Sequence, residues 1–272
     1  MTEGLSQSRS GGRVAIAASA TGALTLLAIL ALPIAALVLR GGAAGLRALV
    51  DDPELRAALL LTTAMATVAT ISAMTLGTPL AWMLARRRVP GGALIAAVLD
   101  LPLLIPHPVA GIALLLAFGS RSVAGQGLAH IGLAVVSSPV GVALAMLFVS
   151  APLYVAGARA VIEQVDERYE SVARTLGDPA WRAAWRVTRP MAARGLAGSA
   201  IMMWTRAASE FGAIVILTYN PKVVSVLSYD RFTSDGLDGV LPVAAALVLL
   251  ALVPLVALRW LRDGWRDEGA RR

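Results

Sequence analysis

The sequence predicts an all-α integral membrane protein, and three observations support this fold class. Hydrophobic residues make up 57% of the 272 residues and charged residues only 15%, whereas soluble domains average about 25% charged residues. Apolar stretches long enough to cross a bilayer recur along the whole chain. Basic residues gather between alternate stretches, as they do in loops on the cytoplasmic side of a membrane.

Six transmembrane helices are predicted, and the first two are long. Residues 14–39 exceed the apolar core of a signal peptide, which has roughly 7–15 residues, so they are counted as a span. Asp52 is followed by a proline and an acid, which is typical of a helix start. The second span therefore covers residues 53–85, in which Gly77 and Pro79 predict an interruption and a kink.

The third span, residues 93–118, contains three prolines that one straight helix does not accommodate: Pro102, Pro106 and Pro108. Broken backbone inside a bilayer is tolerated only against protein or a water-filled path. A polar loop at 119–138 follows. The later spans are placed at 139–161, 191–217 and 239–261. The predicted organisation is a tail at 1–13, a transmembrane domain at 14–262 with a charged insert at 163–190, and a tail at 263–272.

The distribution of Lys and Arg predicts the orientation in the membrane. With the N-terminus inside, the inner segments hold 17 of the 24 basic residues and the outer segments hold 6. This bias predicts that both termini and the insert are cytoplasmic and that the chain is a multi-pass protein of the plasma membrane. The excess of basic over acidic residues is thus assigned to cytoplasmic loops beside the lipid bilayer, and no nucleic-acid partner is expected.

Several kinds of site are absent from the sequence. The chain has no cysteine, and its two histidines, His107 and His130, have no acidic neighbours, so a metal site is not expected. Lys222 is the single lysine and does not belong to a phosphate-binding loop. We therefore expect no bound cofactor and no catalysis by this chain, and any ATP would bind to another subunit.

The insert has the pattern of two short helices. The apolar face predicted for its first helix comprises Val165, Tyr169, Val172, Ala173 and Leu176. Gly177 is suited to the positive φ that ends a helix, and Asp178 is suited to capping the next one. Trp181 and Trp185 then lie one turn apart beside a basic face. Two interpretations are open: an amphipathic loop on the lipid headgroups, or a docking element for a soluble protein.

A resemblance favours the second interpretation. The cytoplasmic loop of ABC-importer permeases has the pattern E-A-A, three residues, Gly, nine residues, Ile-x-Leu-Pro. The insert is similar in its spacing from Ser171-Val172-Ala173 through Gly177 to Val187-Thr188-Arg189-Pro190. Ser171 stands where the pattern has Glu, and Glu170 is one residue early, which turns a helical side chain by about 100°.

The resemblance extends beyond the insert, over roughly residues 53–258. TLGTPLAWMLARR (75–87), LDLPLLIPHPVAG (99–111) and RAASEFGAIVIL (206–217) resemble oxyanion-importer permeases, of the tungstate/molybdate branch first and sulfate permeases next. The resemblance implies a type I ABC-importer permease fold with a cytoplasmic coupling-helix loop. It implies a homodimer, ATPase subunits that bind ATP and Mg, and an external solute-binding protein. The coupling residues it implies are Glu170, Ser171, Val172, Ala173, Leu176, Gly177, Asp178 and Pro190.

Charged residues within the membrane are candidates for the translocation path. Arg206 and Glu210 are spaced i, i+4 in the fifth span, and each charge there costs about 2.5–3.5 kcal/mol. They either pair to lock helix packing or line a gate in an anion path, with Glu210 as a gate or structural partner. The path residues implied by the resemblance and these charges are Arg206, Ser209, Glu210, Phe211, Gly212, Asp100 and Pro106.

Three further residues or segments have open assignments. Asp100 is predicted to cap a half-helix or to pair with Arg206. His107 is expected to pack or to line the path. The outer loop near Lys222, with Tyr219, Asn220, Tyr229, Asp230 and Arg231, either contacts a binding protein or is an ordinary solvated loop.

Three alternatives to an oxyanion importer of the molybdate/tungstate type remain at this point. One is a sulfate/thiosulfate ABC permease. Another is a secondary transporter without an ATPase partner, although three intramembrane charges are few for ion coupling. An intramembrane enzyme would need a clustered nucleophile, metal or acid pair, and the sequence shows none.

Overall fold

The computed structural model describes the backbone of residues 3–269 and the side chains of residues 19–254, 256, 257 and 259. Helices and short turns account for this part of the chain, which contains no strand. The helices are α1 (Glu3–Asp51), α2 (Pro53–Ala85), α3 (Gly92–Leu104), α4 (His107–Phe118), α5 (Val123–His130), α6 (Pro139–Glu163), α7 (Glu167–Thr175), α8 (Ala180–Ala183), α9 (Arg189–Ala208), α10 (Gly212–Leu217) and α11 (Val224–Gly269). The side chains of the predicted tails, 1–13 and 263–272, lie outside the described residues.

The all-α membrane prediction is confirmed, and the number of spans is confirmed in part. Within the described residues, four helical segments are long and apolar enough to cross a membrane: Ser19–Asp51, Pro53–Ala85, Pro139–Glu163 and Val224–Pro254. The pair α3 and α4, bent by 115°, makes a fifth if it is counted as one span. The predicted span at 191–217 is divided between α9 and α10. It is not among these spans, and Arg194 and Arg206 lower its hydropathy.

The centre of the fold is the contact between α2 and α6, which lie beside α9. Small residues of α2 recur at helical spacing on the buried face: Ala66, Ala69, Ala73, Gly77 and Ala81. A Cβ at Gly77 would lie 3.0 Å from the Val155 side chain, and the hydroxyl oxygens of Thr78 and Tyr154 are 2.7 Å apart. The predicted interruption of α2 is wrong, because Gly77 serves close packing on α6 within one continuous helix.

The start of α2 is as predicted, while α1 is longer than predicted. Asp52 Oδ1 accepts a hydrogen bond of 3.0 Å from the Leu55 N–H, which is an N-cap. The first helix continues past residue 39 to Asp51 because Gly41 and Gly45 pack against α11. A Cβ at Gly41 would lie 2.8 Å from the Leu241 carbonyl oxygen, so only a glycine permits this approach.

The proline-rich segment breaks its helix as predicted. The backbone is extended at Ile105, and α4 begins at His107 after Pro106. Two loop predictions are wrong. The loop at 119–138 contains α5, whose first turn is capped by Ser122, and Tyr229, Asp230 and Arg231 lie on α11, which is kinked at Gly236.

The contact of α4 with α10 depends on Gly111. A Cβ at this position would lie 2.7 Å from the Ala213 carbonyl oxygen and 2.8 Å from Ile216 Cβ. We expect Gly111→Val to lower the free energy of unfolding by about 1–3 kcal/mol, the usual cost of overpacking, measured as a lower Tm of the purified chain in detergent. Gly127→Ala is the control, since no atom lies within 4 Å of its Cβ position. An unchanged Tm for Gly111→Val would contradict the close contact.

Candidate functional site

The insert is a compact unit that connects α6 to α9. After α7, Gly177 adopts a φ of 98°, which confirms the predicted left-handed turn. The insert was predicted to end at residue 190 and the next span to begin at residue 191. Instead α8 continues through a π-helical turn, Ala184–Thr188, directly into α9, and Pro190 lies in the first turn of α9. The second half of the insert and α9 therefore form one continuous helical segment.

Glu170 anchors the insert to the end of α2. Its side chain is buried and its Oε1 accepts hydrogen bonds from Trp82 Nε1 at 3.1 Å, Arg86 Nε at 3.0 Å, and the Thr188 hydroxyl. Arg88 forms a longer ion pair with Oε2, at 3.8 Å. Arg86 also donates to the Val165 carbonyl at 3.0 Å. One carboxylate therefore connects α2, α7 and the π-helical turn.

The electrostatics of Glu170 favour its charged form. Burial raises the pKa of Glu170, but hydrogen bonds from Thr188, Trp82 and Arg86 together with the Arg86 charge outweigh burial and lower the pKa below its ordinary value. Ser171, at the position of the acid in the E-A-A pattern, is exposed and bonds only to the Glu167 carbonyl in the described part of the chain. The shift of the acid by one residue turns it inward. Trp82 and Arg86 were not predicted as its partners, although they belong to a segment that carried the resemblance.

The outer surface of the insert is apolar. Tyr169, Val172, Leu176, Trp181 and Trp185 are all exposed, and Leu176 is 84% exposed. Val165, which was predicted on this face, is buried in the core instead, and Ala173 is half-buried. Exposed apolar side chains on a charged insert are typical of a surface that contacts another protein or the lipid headgroups.

Asp178 does not cap α8 as predicted. Its carboxylate lies 3.6 Å from Arg182 Nη1 and 3.5 Å from Arg186 Nη1. The helix begins at Ala180, and its N-cap residue, Pro179, provides no side-chain cap. Arg189, the third arginine of the predicted basic face, lies over the ring of Trp185, with its Cζ atom 4.0 Å from the ring centroid. The arginines of the basic face therefore lie beside Asp178 and the two exposed tryptophans.

A second group of contacts involves Arg206, His107 and Glu210 and lies where α10 packs against α4. The break between α9 and α10 faces the start of α4, and a Cβ at Gly212 would lie 2.7 Å from His107 Cβ. Glu210 Oε2 lies 2.7 Å from His107 Nδ1 and 3.0 Å from Arg206 Nη2. Arg206 Nη2 is also 2.6 Å from His107 Nε2. Arg206 Nη2 lies 2.8 Å from His107 Nδ1 as well, so it is close to both ring nitrogens, while Nδ1 is the ring nitrogen within hydrogen-bond distance of the Glu210 carboxylate, to which a protonated Nδ1 donates.

Some of the other predicted path residues lie beside this cluster, and one does not. Ser209 and Pro106 are exposed beside the cluster, and Phe211 contacts the Tyr229 ring with centroids 5.2 Å apart. Asp100 is not part of the cluster. It lies inside α3, whose N-cap is Gly91, and it is exposed, so neither the predicted cap nor the predicted pair with Arg206 forms. His107 was expected to pack or to line the path, but its contact with Glu210 was not predicted. Ser225, whose hydroxyl donates to the Glu210 carbonyl at 2.6 Å, was not predicted at all.

The outer polar residues form a network of ion pairs. Arg231 pairs with Asp52 at 3.0 Å and Glu54 at 2.9 Å, and Lys222 pairs with Glu54 at 3.2 Å and Asp230 at 2.6 Å. These contacts connect the start of α2 to the first part of α11. In the part of the chain whose side chains are described, no group of three His, Cys, Asp or Glu residues is placed to hold a metal ion.

Comparison with known proteins identifies the family. Residues 77–264 match the family described as binding-protein-dependent transport system inner membrane component. The chain belongs to this family. The permease is 40% identical over 239 residues, 87% of its length and 91% of the relative's, to the molybdate/tungstate transport system permease protein WtpB of Thermococcus kodakarensis. It is 30% identical over 250 residues, 89% of its length and 90% of the relative's, to the sulfate transport system permease protein CysT of Escherichia coli.

Solved structures agree on the fold. The permease aligns with a bacterial ABC transporter involved in import of the acidic polysaccharide alginate at a TM-score of 0.70, with 17% identity, over 97% of this chain and 99% of that one. The MetNI methionine ABC transporter gives a TM-score of 0.62 at 15% identity, over 77% of this chain and 95% of that one. The fold is thus that of a type I ABC-importer permease. The protein is a membrane subunit, not an enzyme, and a separate subunit carries the ATPase, which decides against a secondary transporter.

Proposed function

We propose that this permease imports a tetrahedral oxyanion, tungstate or molybdate. The observation that carries the proposal is the 40% identity to a molybdate/tungstate permease over 87% of the chain. Two further relatives of that name, from Pyrococcus furiosus and Pyrococcus abyssi, support it at 40% and 38% identity. Sulfate or thiosulfate is the second candidate, favoured by the 30% identity to a sulfate permease. The anions share shape and charge, so the binding protein contributes much of the selection.

We propose further that the permease works as a homodimer with two ATPase subunits and an external solute-binding protein. Asp100 supports the second protomer, because this exposed carboxylate lies within an apolar helix and would be costly against lipid. ATP and Mg would bind to the ATPase subunits. The binding protein would approach the outer end, where the ion-pair network near Lys222 fixes the helices that it meets.

The orientation follows from the two ends of the molecule. Arg86 contacts Glu170, so the basic turn after α2 and the insert share one end. Asp52 contacts Arg231 at the opposite end of α2. We place the first end and both termini in the cytoplasm and the protein in the plasma membrane, with α9 and α10 as part of a sixth crossing. This arrangement follows the positive-inside rule.

In the proposed mechanism the insert receives the ATPase on its exposed apolar face. The proposed coupling residues are Glu170, Ser171, Val172, Ala173, Leu176, Gly177, Asp178 and Pro190. Closure of the ATPases on ATP would shift the population of the permease toward an outward-facing state. Glu170 and the continuous helix from α8 to α9 would carry this movement to the break between α9 and α10, where Arg206 and Glu210 lie. The proposed path residues are Pro106, Arg206, Ser209, Glu210, Phe211 and Gly212 around the break between α9 and α10, together with Asp100 on α3, outside that cluster.

The test is ATP-dependent uptake of tungstate into vesicles that contain the permease and the subunits encoded beside it. We expect uptake that excess molybdate competes and excess sulfate does not. Competition by sulfate alone would move the permease to the sulfate group. Failure to take up any of the three anions would contradict the proposed substrate class.

A further inference from the structure

Exposure is graded across the cluster formed by Arg206, His107 and Glu210. The Glu210 side chain is 1% exposed, Arg206 is 27% exposed and His107 is 41% exposed. The carboxylate is therefore sealed behind two nitrogen-bearing side chains, and a solute reaches those side chains first. Glu210 Oε1 also accepts the Ala213 N–H at 2.9 Å, so the carboxylate cannot turn outward without uncapping α10.

The Arg206 guanidinium keeps donors for a further acceptor. In the described part of the chain, its contacts with Glu210 and His107 all use Nη2. A guanidinium carries five N–H donors in a planar fork, so those on Nε and Nη1 are not used. The two forks of a guanidinium, Nε with Nη2 and Nη1 with Nη2, match two oxygens of a tetrahedral oxyanion, as they match carboxylates and phosphates. Both forks include Nη2, so an anion held by a fork competes with Glu210 for that nitrogen.

The net charge of the cluster favours weak and reversible binding of an anion over tight binding. With a neutral histidine the cluster carries no net charge, since the Glu210 carboxylate neutralises Arg206 from 3.0 Å away. An arginine without a counter-ion would hold a dianion strongly in a medium of low dielectric constant. Transport requires a site that an ion enters and also leaves. A carboxylate that competes for the same guanidinium weakens binding in this way.

We propose that Arg206 is a transient binding site for a tetrahedral oxyanion dianion and that Glu210 is the internal competitor that releases the anion. The inference rests on the proposed function, because it assumes that the cluster lies on the anion path. Arg206 offers its unused donors to the anion and loosens its contact with Glu210. As the anion leaves, the contact with Glu210 closes again. His107 is a positioning residue that holds the carboxylate through Nδ1–H.

The test uses tungstate as the probe and compares Arg206→Gln, Glu210→Gln and the double variant in the full chain. Each protein is placed in lipid nanodiscs without ATPase or binding protein and is dialysed against tungstate. We expect Glu210→Gln to hold tungstate about tenfold more tightly than the parent, because Arg206 then lacks its competitor. The double variant is expected to lose this gain. In vesicles with the complete importer, both single variants are expected to lower the maximal uptake rate.

Arg159→Gln is the matched control, because it breaks an exposed Arg–Glu pair at the same i, i+4 spacing in α6, and we expect parental binding and uptake. The proposal is overturned if Glu210→Gln binds tungstate no more tightly than the parent, or if the double variant binds as tightly as Glu210→Gln. Should Glu210→Gln fail to fold in a thermal scan, parental uptake by Arg206→Gln would overturn it instead. A parent chain that takes up no oxyanion would contradict the proposed function, while the dialysis measurement would still decide about Arg206.

Discussion

Glu170→Gln is expected to abolish ATP-driven uptake and to destabilise the cytoplasmic end of the permease. The substitution removes the charge that Arg86 faces at 3.0 Å, and both side chains are almost fully buried. Breaking a buried ion pair from one side costs about 3–5 kcal/mol, because the remaining charge is left without a partner. The measurements are uptake in vesicles and thermal unfolding of the purified chain. Unchanged values in both would contradict the anchoring role of Glu170.

Ser171→Ala is the matched control for this prediction. Ser171 is the neighbouring residue and occupies the aligned position of the acid, but it is exposed and makes only a local bond to the Glu167 carbonyl in the described structure. We expect parental thermal stability, since exposed substitutions usually change stability by less than about 0.5 kcal/mol. A loss of stability caused by Ser171→Ala alone would indicate that position 171, and not Glu170, anchors the insert.

The same anchor predicts the dependence of stability on pH. Because the folded pKa of Glu170 lies below its ordinary value of 4.5, the group contributes stability above that value. The contribution is lost as the pH falls through the lower folded pKa. We expect Glu170→Gln to weaken this acid-induced loss, and a comparison of Tm between neutral and acidic pH with the parent measures it. An equal loss in both proteins would assign the acid sensitivity to other carboxylates.

The features of the fold that the sequence predicts are those with local causes. Asp52 caps α2 through a neighbour three residues away, Pro106 lacks the N–H that a continuous helix needs, and Gly177 adopts a φ that other residues avoid. Each feature depends on a few adjacent residues and can therefore be predicted from a single sequence. The long apolar spans can also be predicted from the sequence, because the thickness of the bilayer sets their length.

The features that the sequence does not predict depend on distant contacts. The break between α9 and α10 precedes Gly212 and is held by Glu210, whose carboxylate meets a histidine 103 residues away. The direction of Glu170 likewise depends on Arg86, 84 residues away. In both cases the sequence identifies an unusual charge. Only the packing of separate helices determines which side chain faces it.

Gly177→Val is expected to separate ATP hydrolysis from uptake while the permease stays folded in the membrane. Gly177 has a φ of 98°, and no atom lies within 4 Å of the position of a Cβ. The cost therefore arises from the backbone, where a left-handed conformation costs an L-residue about 1–2 kcal/mol, with a β-branched residue among the least tolerant. The turn is expected to relax and to move exposed Leu176 out of the docking surface. The measurements are ATPase activity and uptake of the assembled importer.

Gly177→Asn tests whether the backbone conformation is the cause. Asparagine enters the left-handed region more readily than other residues, so this variant is expected to keep much of the coupled uptake, although it also adds a side chain. Gly198→Ala in α9 is the second control, because it too adds a Cβ to open space but at a glycine without positive φ. If Gly177→Asn and Gly177→Val lose uptake equally, the added side chain rather than the turn would be responsible. Full coupling in Gly177→Val would show that the shape of this turn does not transmit the ATPase cycle.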